Sequence, residues 1–131
     1  MRVLHTMLRV SNLQAALDFY IRVLDMRLLR HKDYLEGRFT LAFIGYGAEQ
    51  DNTVLELTHN WDQDNYNLGD AYGHVAIEVM DAAAICDRAK ALGYKVLREA
   101  GHMNFGRAII AFLQDPDGFK VELIQKGTQF D

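Results

Sequence analysis

Polar and apolar residues alternate at the start of the chain and then change to a helical spacing. Residues 4–10 read Leu-His-Thr-Met-Leu-Arg-Val, which is typical of a strand. From Leu13 to Leu24 apolar residues recur every three or four positions, which predicts an amphipathic helix with Ser11 or Asn12 as its N-cap. Three further strands are predicted near residues 26–30, 39–44 and 54–58.

The second half of the chain repeats this order. A strand over residues 72–79 precedes a short helix that begins after Asp81 and ends at Gly93. Three strands are predicted to follow, at residues 95–98, 108–113 and 120–124. The last two are joined by Asp115-Pro-Asp-Gly118, which suits a type I turn. The sequence therefore predicts an α+β fold in which tandem βαβββ repeats form curved mixed sheets.

Matching residues occupy matching places in the two halves. His5 and His74 lie in the two first strands, Phe43 and Phe112 lie in the two third strands, and Glu56 and Glu122 lie in the two last strands. We expect residues 1–131 to form a single domain made of two repeats. The repeats span about residues 1–60 and 72–127, and residues 61–71 link them.

Composition narrows the class of protein. Of the 131 residues, 50% are hydrophobic and 24% are charged, which is an ordinary globular mixture. The net charge of −4 argues against a nucleic-acid partner. The single cysteine permits neither a disulfide within the chain nor a thiolate zinc cage. No signal stretch or long apolar run is present in the sequence, so we expect a cytoplasmic protein without a membrane partner.

Four polar residues stand out within apolar strands and predict a metal site. They are His5, Glu56, His74 and Glu122. A carboxylate in such a strand is costly unless it is paired or bound to a metal. Two imidazoles and two carboxylates suit nickel, cobalt, manganese or ferrous iron. Four ligands leave two of six octahedral positions open, where a substrate could chelate through two neighbouring oxygens.

Two further polar residues are spaced alike from the predicted ligands. Arg9 follows His5 by four positions and Asn60 follows Glu56 by four, which is about 13 Å along a strand. A guanidinium and an amide at such distances could hold the carboxylates or peptide groups of an elongated anionic ligand.

Several stretches resemble glyoxalase I, the lactoylglutathione lyase family, in its short bacterial form. The longest are Leu4-His-Thr-Met-Leu-Arg-Val10, Leu41-Ala-Phe-Ile-Gly-Tyr-Gly47 and Val54-Leu-Glu-Leu-Thr-His-Asn-Trp61. They are joined by Leu17-Asp-Phe-Tyr20, Tyr72-Gly-His-Val75 and Asp115-Pro-Asp-Gly118 with Glu122. Asp25 stands where the family usually has glycine, in a turn whose left-handed geometry aspartate tolerates fairly well.

The resemblance implies a vicinal-oxygen-chelate fold and a metal-dependent lyase that detoxifies methylglyoxal. Its substrate would be the hemithioacetal of methylglyoxal and glutathione, and its product S-D-lactoylglutathione. An octahedral metal would be held by the four residues described above. Because longer relatives that prefer zinc carry glutamine in place of the first histidine, His5 and the short chain point to Ni²⁺ or Co²⁺.

The same resemblance implies roles for individual residues and an assembly. Glu122 would be the catalytic base, with Glu56 assisting or serving the other substrate epimer. Arg9 and Asn60 would hold glutathione, the co-substrate, and Arg88 and Arg98 would add basic contacts. The protein would be a homodimer with its sites at the subunit interface, where the first half of one subunit faces the second half of the other.

Three alternatives remain open from the residues alone. An epimerase of the same superfamily would also abstract a proton. An extradiol dioxygenase would use two histidines and one carboxylate on iron, so a fourth protein ligand would crowd out oxygen. A metal-free drug-binding resistance protein would leave the four predicted ligands unexplained.

Overall fold

The chain folds as two compact units with the same order of elements. The structure is a computed structural model that describes residues 1–128. The first unit spans Met1–Asn67, and the second begins at Leu68. Each unit contains a strand, a helix and then three strands. The predicted α+β class and the βαβββ order of both repeats are therefore confirmed.

The first unit is a four-stranded mixed sheet with one helix. Its elements are β1 (His5–Arg9), α1 (Leu13–Arg22), β2 (Arg27–Tyr34), β3 (Phe39–Gly45) and β4 (Val54–Asn60). The strand order is β1-β4-β3-β2, in which β1 runs parallel to β4 and the other pairs are antiparallel. The last strand of the repeat is therefore central and lies beside the first.

The second unit has the same topology. Its elements are β5 (His74–Val79), α2 (Ala82–Ala91), β6 (Lys95–His102), β7 (Ile109–Gln114) and β8 (Lys120–Gln125). The strand order is β5-β8-β7-β6, and the one parallel pair is again formed by the first and last strands.

Local hydrogen bonds explain where the helices begin. The side chain of Asn12 accepts a hydrogen bond from the backbone N–H of Ala15 at 3.0 Å, and Asp81 accepts one from Ala84 at 3.0 Å. These bonds satisfy backbone donors that the first turn of a helix leaves unpaired. Of the two N-caps expected for α1, the structure selects Asn12. The buried stripe of α2 is formed by Ala82, Cys86 and Ala89.

Strand alternation separates an apolar face of each sheet from a face that carries polar side chains. In β4, Leu55 and Leu57 are buried while Glu56 between them is partly exposed. In β8, Val121 and Leu123 are buried around Glu122 in the same way. Because successive side chains point to opposite faces, each glutamate lies on the face turned away from the apolar core of its own sheet.

Two strands are longer than the sequence predicts. β2 extends to Tyr34 rather than ending near Arg30, and β6 extends to His102 rather than Arg98. Both are edge strands whose added residues are mostly polar, so they lack the apolar alternation that identifies a buried strand. Their extra length is specified by antiparallel pairing with β3 and β7. Conversely, β5 begins only at His74, after the predicted start at Tyr72.

Left-handed backbone geometry occurs at the helix ends, where the sequence indicates turns. Asp25, which follows α1, has a φ of 58°, and Gly93, which follows α2, has a φ of 87°. Asparagine and aspartate tolerate this region better than other side chains do, so Asp25 can replace the usual glycine. Within residues 1–128, neither helix is long and apolar enough to cross a membrane.

Gly93 provides a test of this account of the helix end. Gly93→Ala should lower the free energy of unfolding by about 1–2 kcal/mol, because an alanine side chain is strained at positive φ. The matched control is Gly101→Ala, since a Cβ added at either glycine would meet no other atom within 4 Å and only Gly93 has positive φ. Urea denaturation of both variants measures the difference, and equal effects would contradict the assignment of strain to Gly93.

Candidate metal centre

The first unit brings together one histidine and one glutamate, which we call half-site 1. The Nε2 atom of His5 lies 3.1 Å from Oε2 of Glu56. The parallel register explains this contact, because His5 pairs with Val54 and Glu56 pairs with Met7. The two side chains are therefore diagonal neighbours on one face of the sheet, within reach of each other.

The second unit builds the same arrangement, which we call half-site 2. Nε2 of His74 lies 3.5 Å from Oε1 of Glu122. His74 pairs with Lys120 and Glu122 pairs with Ala76, so the register is that of half-site 1. The exposed side-chain fractions also agree: 38% and 14% for His5 and Glu56, and 38% and 15% for His74 and Glu122.

An aromatic ring supports the imidazole in each half-site. Phe43 meets His5 edge-to-face with ring centroids 5.7 Å apart, and Phe112 meets His74 in the same way at 5.1 Å. Each phenylalanine is the Cα partner of the neighbouring glutamate, Phe43 of Glu56 and Phe112 of Glu122. The phenylalanines at matching sequence positions are thus part of the repeated geometry and restrict the orientation of both histidines.

The donor atoms of each half-site fit two neighbouring positions on one metal ion. Two ligands about 2.1 Å from an ion and at right angles lie about 3.0 Å apart. The measured separations of 3.1 and 3.5 Å are close to that value. Neither unit, over residues 1–128, gathers three or more such ligands by itself. Each half-site therefore offers one imidazole nitrogen and one carboxylate oxygen, and leaves the rest of a coordination shell to other donors.

An ion pair between Arg30 and Glu49 lies next to half-site 1. The guanidinium carbon of Arg30 lies 3.8 Å from the centre of the Phe43 ring. Arg30 also makes two hydrogen bonds to the carboxylate of Glu49, at 2.9 and 3.0 Å. These bonds from Arg30 hold the pKa of Glu49 below its usual value. The positive charge beside Phe43 is therefore balanced by a carboxylate in the same unit.

Arg98 has the corresponding place in half-site 2 but different partners. It pairs with Phe112 across β6 and β7, as Arg30 pairs with Phe43. Its guanidinium donates hydrogen bonds to the carbonyl oxygens of Ile110 at 3.1 Å and His102 at 2.9 Å. Arg98 therefore braces the backbone of the edge strand.

A cleft of about 330 Å³ opens beside His74. Its lining residues come from the start of β5 and from the three other strands of the unit: Tyr72, Gly73, His74, Leu97, Arg98, Phe112 and Lys120. Burial, with a smaller contribution from the negative charge of Asp115, raises the pKa of the Tyr72 hydroxyl. The cleft joins an imidazole, two cations and apolar walls, a combination suited to part of an anionic organic ligand.

Arg9 and Asn60, which each follow a predicted metal ligand by four residues, lie at the ends of β1 and β4 in the first unit. Arg9 is exposed and shares its face of β1 with His5. Asn60 ends β4, and its amide nitrogen donates a hydrogen bond to the hydroxyl of Tyr66 at 3.2 Å. Next to Asn60, the indole nitrogen of Trp61 donates to the hydroxyl of Thr40 at 2.8 Å. These bonds fix the end of the strand from which Asn60 projects.

Arg88 is not brought together with half-site 2 in its own unit. It lies in the last turn of α2, whose buried residues pack on the apolar side of the sheet. His74 and Glu122 project from the other face. Its predicted role in substrate binding stays a prediction.

Sequence reasoning missed three participants in this geometry: Lys120, Tyr66 and the Arg30–Glu49 pair. The sequence does contain a signal for Lys120. When the two repeats are aligned on Glu56 and Glu122, a lysine in the second repeat stands where the first repeat has Val54. Tyr66 and Glu49 lie in connecting segments, where no periodic pattern assigns a direction to a side chain. Only the folded chain reveals those two contacts.

Comparison with known proteins places this geometry in a family context. Residues 2–123 match the model of the Glyoxalase/Bleomycin resistance protein/Dioxygenase superfamily. A lactoylglutathione lyase of Neisseria meningitidis serogroup A is 65% identical over 131 residues, covering 100% of this chain and 95% of the relative. A lactoylglutathione lyase of Escherichia coli O157:H7 is 52% identical over 126 residues, covering 96% of this chain and 93% of the relative.

A solved structure with the same fold is glyoxalase I from Zea mays. It superimposes with a TM-score of 0.93 at 40% sequence identity, covering 95% of this chain. The chain spans 44% of the length of that maize protein.

Proposed function

The chain belongs to the Glyoxalase/Bleomycin resistance protein/Dioxygenase superfamily, and from this membership we propose that it catalyses the lactoylglutathione lyase reaction. The resemblance to glyoxalase I that the sequence motifs indicate is confirmed by the relatives at 52–65% identity. The observation that carries the proposal is the duplicated His–Glu pair, present with the same register and exposure in both units. The substrate is the hemithioacetal of methylglyoxal and glutathione.

A divalent metal would be held by His5, Glu56, His74 and Glu122. When bound, it supplies Lewis-acid polarisation of the two neighbouring substrate oxygens. A set of two imidazoles and two carboxylates without thiolate suits nickel, cobalt, manganese or ferrous iron. The resemblance to short glyoxalase I chains that have histidine at the position of His5 selects Ni²⁺ or Co²⁺ among these metals. The edge-to-face contacts of the two phenylalanines restrict the orientation of the imidazoles, which lowers the entropy that metal binding costs.

Glu122 serves as the base in this proposal. Its carboxylate takes the proton from the carbon that bears the sulfur and returns it to the neighbouring carbonyl carbon, while the hydroxyl proton moves between the two oxygens. The result is an isomer, S-D-lactoylglutathione, so no redox partner is needed. Only 15% of the Glu122 side chain is exposed, which limits the access of bulk water to the transferred proton. Glu56 assists, or serves the other epimer of the substrate.

Substrate binding is assigned to four residues, Arg9, Asn60, Arg88 and Arg98. Arg9 and Asn60 are supported by their places at strand ends in the unit of half-site 1. A guanidinium and an amide together match the carboxylate, ammonium and peptide groups of glutathione. Arg98 lines the cleft beside His74.

The complete centre is proposed to form in a homodimer, in which half-site 1 of one subunit faces half-site 2 of its partner. The support is that each unit offers two ligands and the proposed centre needs four. A two-fold symmetric interface then creates two equivalent sites. The cytoplasmic location and the metal used in the cell stay predictions.

The function is tested by removing and restoring the metal. Chelated protein should be inactive with methylglyoxal and glutathione, because the substrate oxygens are no longer polarised. Ni²⁺ or Co²⁺ should restore far more activity than Zn²⁺, measured as the ultraviolet absorbance of the thioester product. Full activity with Zn²⁺ alone would refute the metal assignment, and full activity of verified metal-free protein would refute the lyase mechanism.

Replacing the proposed base should remove turnover without unfolding the protein. Glu122→Gln is expected to lower kcat by about 10²–10⁴-fold, since a general base contributes that much and the loss of a ligand adds to it. Glu36→Gln, a change of an exposed carboxylate in the turn after β2, is the matched control. Metal content is measured alongside kinetics. Near-normal kcat in metal-loaded Glu122→Gln protein would exclude Glu122 as the base.

The shared centre is tested with two inactive variants, His5→Ala and Glu122→Ala. They are unfolded, mixed in equal amounts and refolded. In a mixed dimer one site carries both defects and the other carries none. Random pairing makes half of the dimers mixed, so about a quarter of the activity of the unaltered protein should return. If mixed dimers form, as shown by differently tagged chains, and remain inactive, each centre is built within a single chain.

A further inference from the structure

One charged residue breaks the equivalence of the two half-sites. Val54 and Lys120 have the same place in their repeats: each is the Cα partner of the histidine and each precedes the glutamate by two residues. Val54 is buried, with 4% of its surface exposed, whereas Lys120 is exposed. The ligand geometry is thus duplicated, but this position carries a cation only in the second unit.

The strand directs Lys120 toward the proposed ligands. Residues two apart on a strand share a face, so Lys120 and Glu122 project to the same side and are separated by about 6.6 Å along β8. Lys120 also lines the cleft beside His74, together with Phe112 and Arg98. Its ammonium group forms no hydrogen bond or ion pair with any other residue in the described range 1–128.

Arg98, the other cation of this cleft, is already engaged. Its guanidinium donates to the carbonyls of His102 and Ile110 and lies 3.5 Å from that of Gly101. These bonds hold the wall of the cleft in place. They also occupy N–H groups of Arg98 that could otherwise donate to a bound ligand. Of the two cations, Lys120 therefore has all three of its N–H donors available to a bound anion, whereas Arg98 retains two of its five.

We propose that Lys120 binds a carboxylate of the glutathione moiety in the cleft beside His74, and that it contributes to selection of the thiol co-substrate. This inference rests on the proposed lyase function. The cleft of about 330 Å³ has room for a terminal portion of the tripeptide, since ligand pockets measure about 300–1,000 Å³. An ammonium group matches a lone carboxylate as a compact point charge with three donors.

The experiment compares Lys120→Met with Lys126→Met, a control that removes an exposed lysine lying outside the cleft. Lys120→Met should raise KM about tenfold with kcat and metal content unchanged, because a contact remote from the reacting atoms binds ground state and transition state alike. Lys120→Arg should restore most of the binding. Lys120→Gln, which retains polarity without charge, should behave like the methionine variant.

Two modified thiols distinguish the carboxylates. One is glutathione esterified at the glycyl carboxylate, and the other is glutathione amidated at the α-carboxylate of the γ-glutamyl residue. The modification that removes the bound carboxylate should raise KM of the unaltered protein about tenfold and leave KM of Lys120→Met unchanged. If both modifications affect the two proteins equally, Lys120 does not bind a carboxylate.

Failure of this inference is separable from failure of the proposed function. Normal lyase activity of the unaltered protein with an unchanged KM in Lys120→Met would overturn only the role of Lys120. A metal-loaded, folded protein that shows no lyase activity would overturn the proposed function and with it the co-substrate assigned to the cleft.

Discussion

Parallel pairing of the first and last strands in each repeat determines where the chemistry can lie. The last strand is central, so its glutamate has the histidine strand on one side and the phenylalanine strand on the other. The two-residue period of the strand then turns histidine, glutamate and phenylalanine to one face while leucines and valines fill the other. A mostly buried carboxylate is costly in isolation, and the neighbouring imidazole, together with a shared cation, would offset that cost.

The two half-sites retain the ligand geometry while their surroundings differ. Half-site 1 has a cation that is neutralised by Glu49, and half-site 2 has Arg98 and Lys120 with no such carboxylate among the described cleft residues. The immediate surroundings of half-site 2 therefore hold two cations that no carboxylate of the cleft pairs, whereas the cation beside the Phe43 ring of half-site 1 is paired. This difference would give an anionic ligand a preferred direction, although the two His–Glu pairs have the same geometry. Exposed ion pairs such as Arg30–Glu49 contribute little to stability, so the balance of charge is their more important effect.

The sequence predicts the repeats, both helices and the candidate ligands because these features depend on local patterns. Apolar periodicity identifies α1, and the equal placement of His5 and His74 identifies the histidine strands. The ends of β2 and β6 could not be predicted, since polar edge strands are defined by their partners. The carbonyl bonds of Arg98 likewise depend on the bulged register of β6 and β7. The joining of four ligands in one centre and the role of Arg88 stay predictions, because each concerns groups beyond a single unit.

The turn between β7 and β8 constrains the position of the strand that carries Glu122. The buried carboxylate of Asp115 accepts hydrogen bonds from the backbone N–H groups of Asp117 at 2.9 Å and Phe119 at 2.8 Å, which fixes where β8 begins. A shift of β8 by one residue against β7 would reverse its parity, turning Glu122 into the apolar layer and Val121 toward the face that carries His74. Residues 103–108, by contrast, connect the edge strand β6 to β7, so added residues there enlarge a loop without shifting β8. We therefore expect changes of length to be tolerated better in that hairpin than in the turn that Asp115 holds.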